Sequence, residues 1–547
     1  MKKQDIRTYT LLFLILGLGL YLRLRHWPNF LTFDYEKARD LIASMKIFTE
    51  KKLTLIGPVS EVEGIFHGPL YYYLVGFFYY IFKGDPRAGS IVSFLFNLSS
   101  VYILFHIGKN LFNAKVGLIS AFIYAASFEA ISYAYWLSNP GPSVPFLFLM
   151  FYFFYKFCTK NEKYLIPSLF CLAMAIQFQI LNIIFTLPLI VLYFVLGRTK
   201  IGIKNIFLSL AAFLLPLASF VLFDYRHKLL MFNSFIKNYF VSNGNDRHFG
   251  FNLLNYLERF ITEFSNIFFP SNRFLSLIIL FIVTGVFITK IIRDKRNKLW
   301  KFLAVWIFST IPIFLINSRM NQSSAAFIGV SGGLIILFSC LVEKLFSNEA
   351  PSSLWFDVAH HPELAEGRSG YLLPLLRRER NPSEAKSSSH SSPPNRRAGY
   401  SAKGDKKSFF VVFFLIPIFL SNLFAIDHFL TDPSRRLFDF FQGQFYKTDI
   451  AAVKYIYEES ENSNFKVDTV TSPLLISPLW DYLLSWYSQK NSLPLPKRTD
   501  ERIQFLIIEP YVDDFYKNQA MQKKAAVAKR TDSKYFGNIV VEKWAVD

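Results

Sequence analysis

The chain has 547 residues, of which 52% are hydrophobic and 18% aromatic, and it carries a formal net charge of +20. This much apolar surface exceeds what one aqueous core buries, so a purely soluble globular protein is excluded and lipid must solvate part of the chain. The basic residues gather in short loops between apolar runs, which is typical of a membrane protein and argues against a nucleic-acid-binding stripe. The three cysteines lie in apolar runs without a CxxC pair, so neither a disulfide scaffold nor a zinc site is expected.

Apolar runs of about 20 residues, long enough to cross a bilayer as a helix, recur along the chain. The first follows a basic amino terminus that resembles a signal peptide, but no small-residue cleavage site follows it, so we expect a retained first span. We predict about 11 transmembrane helices, at 9–25, 88–107, 115–136, 143–158, 164–180, 181–197, 205–224, 274–292, 299–316, 323–343 and 409–426.

The apolar run at 70–82 is only about 13 residues long, which is short for a crossing. It either crosses in a tilted orientation or lies at the membrane interface, where tyrosines are common. If it does not cross, the basic loops all fall on the cytoplasmic side, as the positive-inside rule requires. We therefore predict a cytoplasmic amino terminus, with the outer loops 26–87 and 225–273 and the carboxyl terminus on the extracytoplasmic side.

Four regions follow from these patterns. Residues 1–344 form the main transmembrane module, and 409–426 form the last transmembrane helix. Between them, 345–408 is rich in Ser, Pro, Gly and Arg and has no periodicity, which predicts a disordered cytoplasmic insertion. In 427–547, strand-like runs such as IQFLIIE alternate with helix-compatible stretches, which predicts a small extracytoplasmic α/β domain.

The first outer loop concentrates ionisable side chains that a simple connection between helices does not need. If this segment is helical, Asp34, Glu36 and Asp40 lie within about two turns of one another. The neighbouring Arg39 can keep one of these acids ionised while another takes up a proton. The ordinary alternative is that Asp34 caps a helix and the other acids complement the helix dipole.

Further candidates are weaker when taken alone. His67, followed by Gly and Pro, is either a hydrated turn residue or a donor to a phosphate or a metal ligand. Asn139, in the segment SNPGP, either caps a helix or hydrogen-bonds a polar substrate. Basic side chains of the second outer loop and beyond either form a solvated face or bind an anionic head group or a departing phosphate; they are Arg226, Arg247, His248 and Arg319.

Together these features resemble the GT-C membrane glycosyltransferases, in particular the family 39 type that includes protein O-mannosyltransferases and the aminoarabinose transferases of lipid A. One matching element is Asp34 with Glu36, early in the first outer loop. A second is the segment FHGPLYYYLVGFFYYIF, which is similar to that family's H/K-P-P-L-Y-Y segment. The SNP segment falls where the family's second polar outer loop falls, and the resemblance covers about residues 10–320.

The resemblance implies a multi-pass enzyme of the bacterial cell (inner) membrane that serves the cell envelope. It would move a hexose or pentose, with inversion, from a polyprenyl phosphate to an acceptor hydroxyl of a protein, lipid or wall polymer on the extracytoplasmic face. Asp34, with Glu36 beside it, would act as the general base. His67, Arg39 and the basic second loop would stabilise the departing phosphate, and Tyr71 and Asn139 would contact substrate.

Two positions depart from the family pattern. Asn139 stands where the family often has an acidic residue, and Phe66 stands where some members have a glutamate proposed as a metal ligand. Metal dependence therefore does not carry over from the family. A divalent metal stays open, with Glu61, Glu63 and His67 as its candidate ligands, and no other cofactor is expected.

Two other classes of function compete with the enzyme. A transporter or flippase of a lipid-linked sugar places ionisable groups inside helices near the midplane and often shows paired repeats. Here the charges are expected at loops and span ends, and we detect no repeat, which favours the enzyme. If Asp34 is not needed for function, the chain is instead expected to be a non-catalytic membrane scaffold.

Overall fold

A computed structural model describes residues 3–60, 62–197, 200–238, 253–316, 327–346, 402–432, 444–461, 463–472 and 478–546. Its helices are α1 (Lys3–Leu24), α2 (Tyr35–Thr49), α3 (Leu70–Ile81), α4 (Gly89–Leu111), α5 (Ala114–Ala126), α6 (Phe128–Tyr135), α7 (Val144–Thr159), α8 (Leu165–Phe178), α9 (Thr186–Leu196), α10 (Ile203–Arg226), α11 (Leu230–Ile236), α12 (Leu253–Phe268), α13 (Arg273–Arg293), α14 (Lys298–Ile307), α15 (Ile311–Ile316), α16 (Ser331–Phe346), α17 (Ala402–His428), α18 (Tyr446–Glu459), α19 (Pro478–Asn491) and α20 (Asp514–Ala525). Its strands are β1 (Phe465–Val470), β2 (Ile503–Ile508), β3 (Lys529–Phe536) and β4 (Ile539–Ala545).

The predicted class, a helical multi-pass membrane protein with a small carboxy-terminal sheet, is confirmed. Within the described ranges, five helices are long and apolar enough to cross a membrane, and a sixth span is formed if α5 and α6 are counted together. These two helices meet at an angle of 51°. Ser127 lies at the bend in an extended conformation and caps α6 by accepting a hydrogen bond from the Ala130 amide.

Several expected spans are shorter or broken helices. The run at 164–180 gives α8, which has 14 residues and ends where Gln179 adopts an extended conformation. The run at 299–316 is divided into α14 and α15, which have 10 and 6 residues. Each of these helices is shorter than the about 20 residues that a single straight helix needs to cross a bilayer. The apolar runs in the sequence therefore do not each form one full-length transmembrane helix.

The predicted disordered insertion, 345–408, lies mostly outside the described residues. Its end, 402–408, is helical and belongs to α17, which corrects the expected start of that helix at 409. The segment AKGDKKS has no proline, and alanine and lysine favour a helix, so nothing in it stops α17 from extending. Residues 1–339 and 418–547 form one compact unit, and 340–417 form a second.

The first outer loop contributes two packed helices, α2 and α3. Helix α2 begins at the cap residue Asp34, and its apolar side chains Ala38, Leu41 and Ile47 are buried. Helix α3 consists of the short aromatic run at Leu70–Ile81 and has 12 residues. The two backbones approach closely where Gly76 of α3 faces the Ser44 carbonyl of α2.

The carboxy-terminal strands form one four-stranded sheet in the order β1-β2-β4-β3. β1 and β2 are parallel, and β4 is antiparallel to both β2 and β3. The run IQFLII forms β2, which lies inside the sheet and is therefore nearly continuously apolar. The sheet and its helices share one apolar core with the first outer loop, because Phe33 and Ala38 belong to the same cluster as Trp480 and Phe505.

Candidate active site

Asp34 caps α2, as the ordinary alternative predicted. Its Oδ1 accepts hydrogen bonds from the amides of Glu36 at 2.9 Å and Lys37 at 3.2 Å. Its Oδ2 accepts a third from Lys37 Nζ, at 2.9 Å. The Asp34 side chain is 6% exposed and that of Lys37 is 5% exposed, so the two form a buried ion pair.

Lys37 was missed in the sequence analysis. Burial lowers the pKa of its ammonium, but the charges of Asp34 and Glu36 outweigh burial, so the pKa is raised and the group stays charged. The signal was present in the spacing, because a lysine three residues after an aspartate shares its face of a helix. The sequence analysis pairs the acids with Arg39 instead.

Glu36 lies beside this pair but faces outward, with 49% of its side chain exposed. The charge of Lys37 is the main cause that lowers its pKa, and Arg39 and His67 act in the same direction. Glu36 is therefore a carboxylate at the mouth of the cluster formed by Asp34, Lys37 and Arg39.

Arg39 pairs with Asp40 rather than with Asp34. Its Nη2 lies 2.9 Å from Asp40 Oδ1, and the Tyr72 hydroxyl donates to the same oxygen at 2.9 Å. Burial raises the pKa of Asp40 to about 6, against the opposing effect of Arg39. Of the two neighbouring tyrosines on α3, Tyr72 donates to this carboxylate, and both Tyr72 and the predicted Tyr71 are buried in the same apolar core.

His67 reaches the cluster from the loop before α3. Its backbone is fixed by two bonds, from its amide to the Pro58 carbonyl and from the Gly57 amide to its own carbonyl, each 2.8 Å long. Its Nδ1 accepts from the Ile180 amide at 3.2 Å. Burial lowers the pKa of His67 to about 4, against the charge of Glu36. The ring is therefore neutral at pH 7, and Nε2 carries its proton as a donor.

An open groove of about 490 Å³ extends along α2 from Arg39. Its lining combines cations with apolar side chains, and includes Arg39, Ile42, Lys46, Lys52, Leu53 and Tyr72. Since Glu36, Arg39, Ala43 and Lys46 follow one another at helical spacing, the groove continues the same face of α2 that carries Glu36. The groove therefore offers room for an amphipathic anion next to the carboxylates.

Two other predicted residues, Asn139 and Arg226, lie among the residues that the structure describes. Asn139 is buried, and its Nδ2 donates to the Phe178 carbonyl at 2.5 Å, so it fastens the end of α8. Arg226, in the last turn of α10, is exposed. The same end of α10 packs on the first outer loop, since the rings of Phe223 and Phe66 lie 5.5 Å apart. Arg247, His248, Arg319 and Glu61 lie outside the described residues.

A divalent metal site would need several ligands from the residues that the structure describes. Within them, no group of three His, Cys, Asp or Glu side chains comes together in a way that could hold an ion. Glu63, one of the predicted ligands, is exposed on its loop. The described donors therefore give no specific fit to a divalent metal.

Comparisons with known proteins agree with this architecture. A family model described as dolichyl-phosphate-mannose-protein mannosyltransferase matches residues 66–223. ArnT from Cupriavidus metallidurans, solved with bound undecaprenyl phosphate, aligns over 99% of this chain and 98% of its own, with a TM-score of 0.54 and 10% identity. The apo form of that protein aligns over 97% of both chains with the same TM-score.

A protein of Lactococcus lactis subsp. cremoris (strain MG1363), described as uncharacterized, is 25% identical over 342 residues. The aligned part spans 57% of this chain and 54% of that relative, about half the length of each. The family model matches part of the chain, and the fold shared with ArnT confirms the predicted resemblance at the level of the fold.

Proposed function

We propose that this chain, a membrane protein with the GT-C fold, is a glycosyltransferase that uses a polyprenyl-phosphate-linked sugar as donor. The acceptor is a hydroxyl group of a protein, lipid or wall polymer, and the transferred sugar is a hexose or a pentose. The α2–α3 face and the carboxy-terminal sheet lie on the extracytoplasmic side of the cell membrane, as the positive-inside rule predicts.

The observation that carries this proposal is the buried, charge-paired carboxylate of Asp34 at the start of α2. A carboxylate oxygen can accept two hydrogen bonds. Oδ2 uses one position for Lys37 Nζ, which leaves the other for an acceptor hydroxyl. Lys37 and the helix amides fix the orientation of the carboxylate, and a fixed base within hydrogen-bond reach of the attacking oxygen is what proton abstraction requires.

The reaction balances as a single displacement. Asp34 removes the proton from the acceptor hydroxyl, and the oxygen attacks the anomeric carbon from the face opposite the phosphate. The bond between that carbon and the phosphate oxygen breaks, so the sugar is transferred with inversion and polyprenyl phosphate leaves. Glu36, at the mouth of the cluster, orients the acceptor.

The negative charge that develops on the leaving phosphate must be stabilised by hydrogen-bond donors or by cationic side chains. His67 supplies a neutral Nε2–H, and Arg39 supplies a guanidinium whose pairing with Asp40 fixes its position. The groove beside Arg39 adds Lys46 and Lys52 to this positive surface. The apolar side chains of the groove suit a donor that is attached to a polyprenyl chain.

Transport of a lipid-linked sugar is the second candidate, and one observation favours it. Glu129 is 1% exposed on α6, the second half of the bent pair α5–α6. A broken helix with a buried acid is a feature of transporters. The expectation that charges avoid the predicted span at 115–136 is therefore wrong, because Glu129 lies within it.

The experiment that separates the two candidates uses purified protein reconstituted in vesicles with polyprenyl-phosphate hexoses and pentoses and a mixture of acceptors. The proposal predicts release of polyprenyl phosphate together with labelled acceptor. Movement of intact labelled donor across the bilayer, without release, would support transport instead.

A further inference from the structure

Glu509 is a buried acid of the carboxy-terminal domain that no motif pointed to. It directly follows β2, it is 1% exposed, and its amide donates to the Val470 carbonyl at 3.0 Å. Its Oε1 accepts from the Trp480 indole Nε1 at 2.8 Å, and its Oε2 accepts from the Ser472 amide at 2.9 Å. Gln444 also hydrogen-bonds this carboxyl. Such a complete set of partners holds the carboxyl group in one orientation.

The chain around Glu509 is attached to the start of α2. The Tyr446 amide donates to the Leu31 carbonyl at 3.0 Å, and Thr32 forms an isolated β-bridge with Phe445. Trp480 and Phe33, the residue just before Asp34, belong to one apolar core. The contacts therefore bring the end of β2 beside the cap of α2.

Asp34 and Glu509 act on each other electrostatically. Burial is the main cause that raises the pKa of Glu509 to about 7, and the negative charge of Asp34 adds to it. Among the described residues, the hydrogen-bond partners of Glu509 are Trp480, the Ser472 amide and Gln444, which carry no charge, and the cation paired with Asp34 is Lys37. Glu509 is therefore a carboxyl group whose charge changes near neutral pH, close to the proposed base.

We propose that Glu509 is a positioning residue of the active site, which uses its negative charge to strengthen Asp34 as a base. The negative charge of an ionised Glu509 repels that of the Asp34 carboxylate and so favours transfer of the hydroxyl proton to Asp34. The carboxy-terminal domain is then part of the catalytic machinery. This inference rests on the proposed function.

The test is the pH dependence of polyprenyl phosphate release by wild type and Glu509→Gln, measured with the same donors and acceptor mixture. The wild-type rate rises as pH increases through about 7, because Glu509 ionises and Asp34 becomes a stronger base; we expect a rise of about three- to tenfold. Glu509→Gln keeps the shape of the side chain but lacks this rise, and at pH 8 it stays near the wild-type rate at pH 6.

Glu542→Gln is a matched control. Glu542 is also buried in the sheet, on β4 opposite Leu506, and its carboxylate accepts from Trp544 Nε1 at 3.2 Å and from Arg530 Nη1 at 2.9 Å. Its variant keeps the wild-type pH profile. A second variant, Trp480→Phe, removes one hydrogen bond that stabilises the Glu509 anion, so the rise moves to higher pH, which tests the inference even if Glu509→Gln fails to fold.

The outcomes separate the inference from the proposed function. If wild type is active, Asp34→Asn is inactive and Glu509→Gln keeps the wild-type pH profile, the inference is overturned while the function stands. If wild type releases no polyprenyl phosphate from any donor, the function fails and the inference fails with it.

Discussion

Lys37 Nζ lies 2.9 Å from Asp34 Oδ2, and both side chains are buried at the start of α2. The pair combines two roles, because the same carboxylate caps the helix through its other oxygen. Removing one partner of a buried ion pair leaves the other as an uncompensated charge in a poorly solvated site. The base proposed here is therefore also a structural anchor of α2.

Replacing Lys37 with methionine is predicted to destabilise the protein by about 3–5 kcal/mol, the range found when a buried pair loses one partner. The measurement is the thermal or denaturant unfolding of the purified protein in detergent. Lys46→Met, on the same helix, is the control for stability, because Lys46 has no ion-pair partner within the described residues. Equal stability of Lys37→Met and wild type would show that the pair carries no net stabilisation.

His67 predicts a pH dependence of stability. Its pKa is lowered to about 4 in the folded chain, mainly by burial, whereas an unfolded histidine has a pKa of 6.5. The unfolded chain therefore binds a proton more strongly, and stability is lost as pH falls from about 6.5 to about 4, by about 1–3 kcal/mol.

His67→Gln is expected to flatten this part of the stability profile, while its amide oxygen still accepts from the Ile180 amide. The measurement is the unfolding free energy of both proteins between pH 4 and pH 7. Profiles of equal slope for wild type and variant would mean that His67 does not titrate as burial implies.

The close approach of α2 and α3 makes a third prediction. A Cβ atom on Gly76 would lie 2.5 Å from the Ser44 carbonyl oxygen, so Gly76→Ala forces the two helices apart. We expect a loss of about 1–3 kcal/mol, typical of overpacking, and a lower turnover, since the bond between Tyr72 and Asp40 joins the same helices.

Gly17→Ala is the control for this variant. Gly17 lies inside α1, and no atom lies within 4 Å of its added Cβ. Alanine favours a helix over glycine by about 1 kcal/mol, so this variant should be as stable as wild type or more stable. Destabilisation of similar size in both variants would contradict the packing argument.

The sequence predicted the parts of the structure that local patterns determine. Apolar runs predicted the helices, alternation predicted the carboxy-terminal sheet, and Asp34 was recognised both as a cap and as a candidate base. Periodicity alone does not show which face of α3 meets α2. That Tyr72 is the residue of α3 that hydrogen-bonds Asp40 could be seen only in the structure.

The contribution of the carboxy-terminal domain could not be predicted in the same way. The segment before α18 is bonded to the segment before α2 by contacts between residues far apart in the chain, and such contacts leave no local signature. The sequence around Asn139 was compatible both with helix capping and with substrate binding. In the structure its side chain donates to the Phe178 carbonyl at the end of α8.

The most direct test of the central claim is donor turnover by Asp34→Asn. Asparagine still caps a helix, but it leaves Lys37 without its charge partner, so the unfolding temperature of the variant is measured beside its turnover. Asp513→Asn is the matched control, because Asp513 caps α20 by accepting from the Phe515 amide. We predict that release of polyprenyl phosphate falls at least about 100-fold in Asp34→Asn, as expected for a lost general base, and is unchanged in Asp513→Asn. Turnover of Asp34→Asn within a few-fold of wild type would show that another residue is the base.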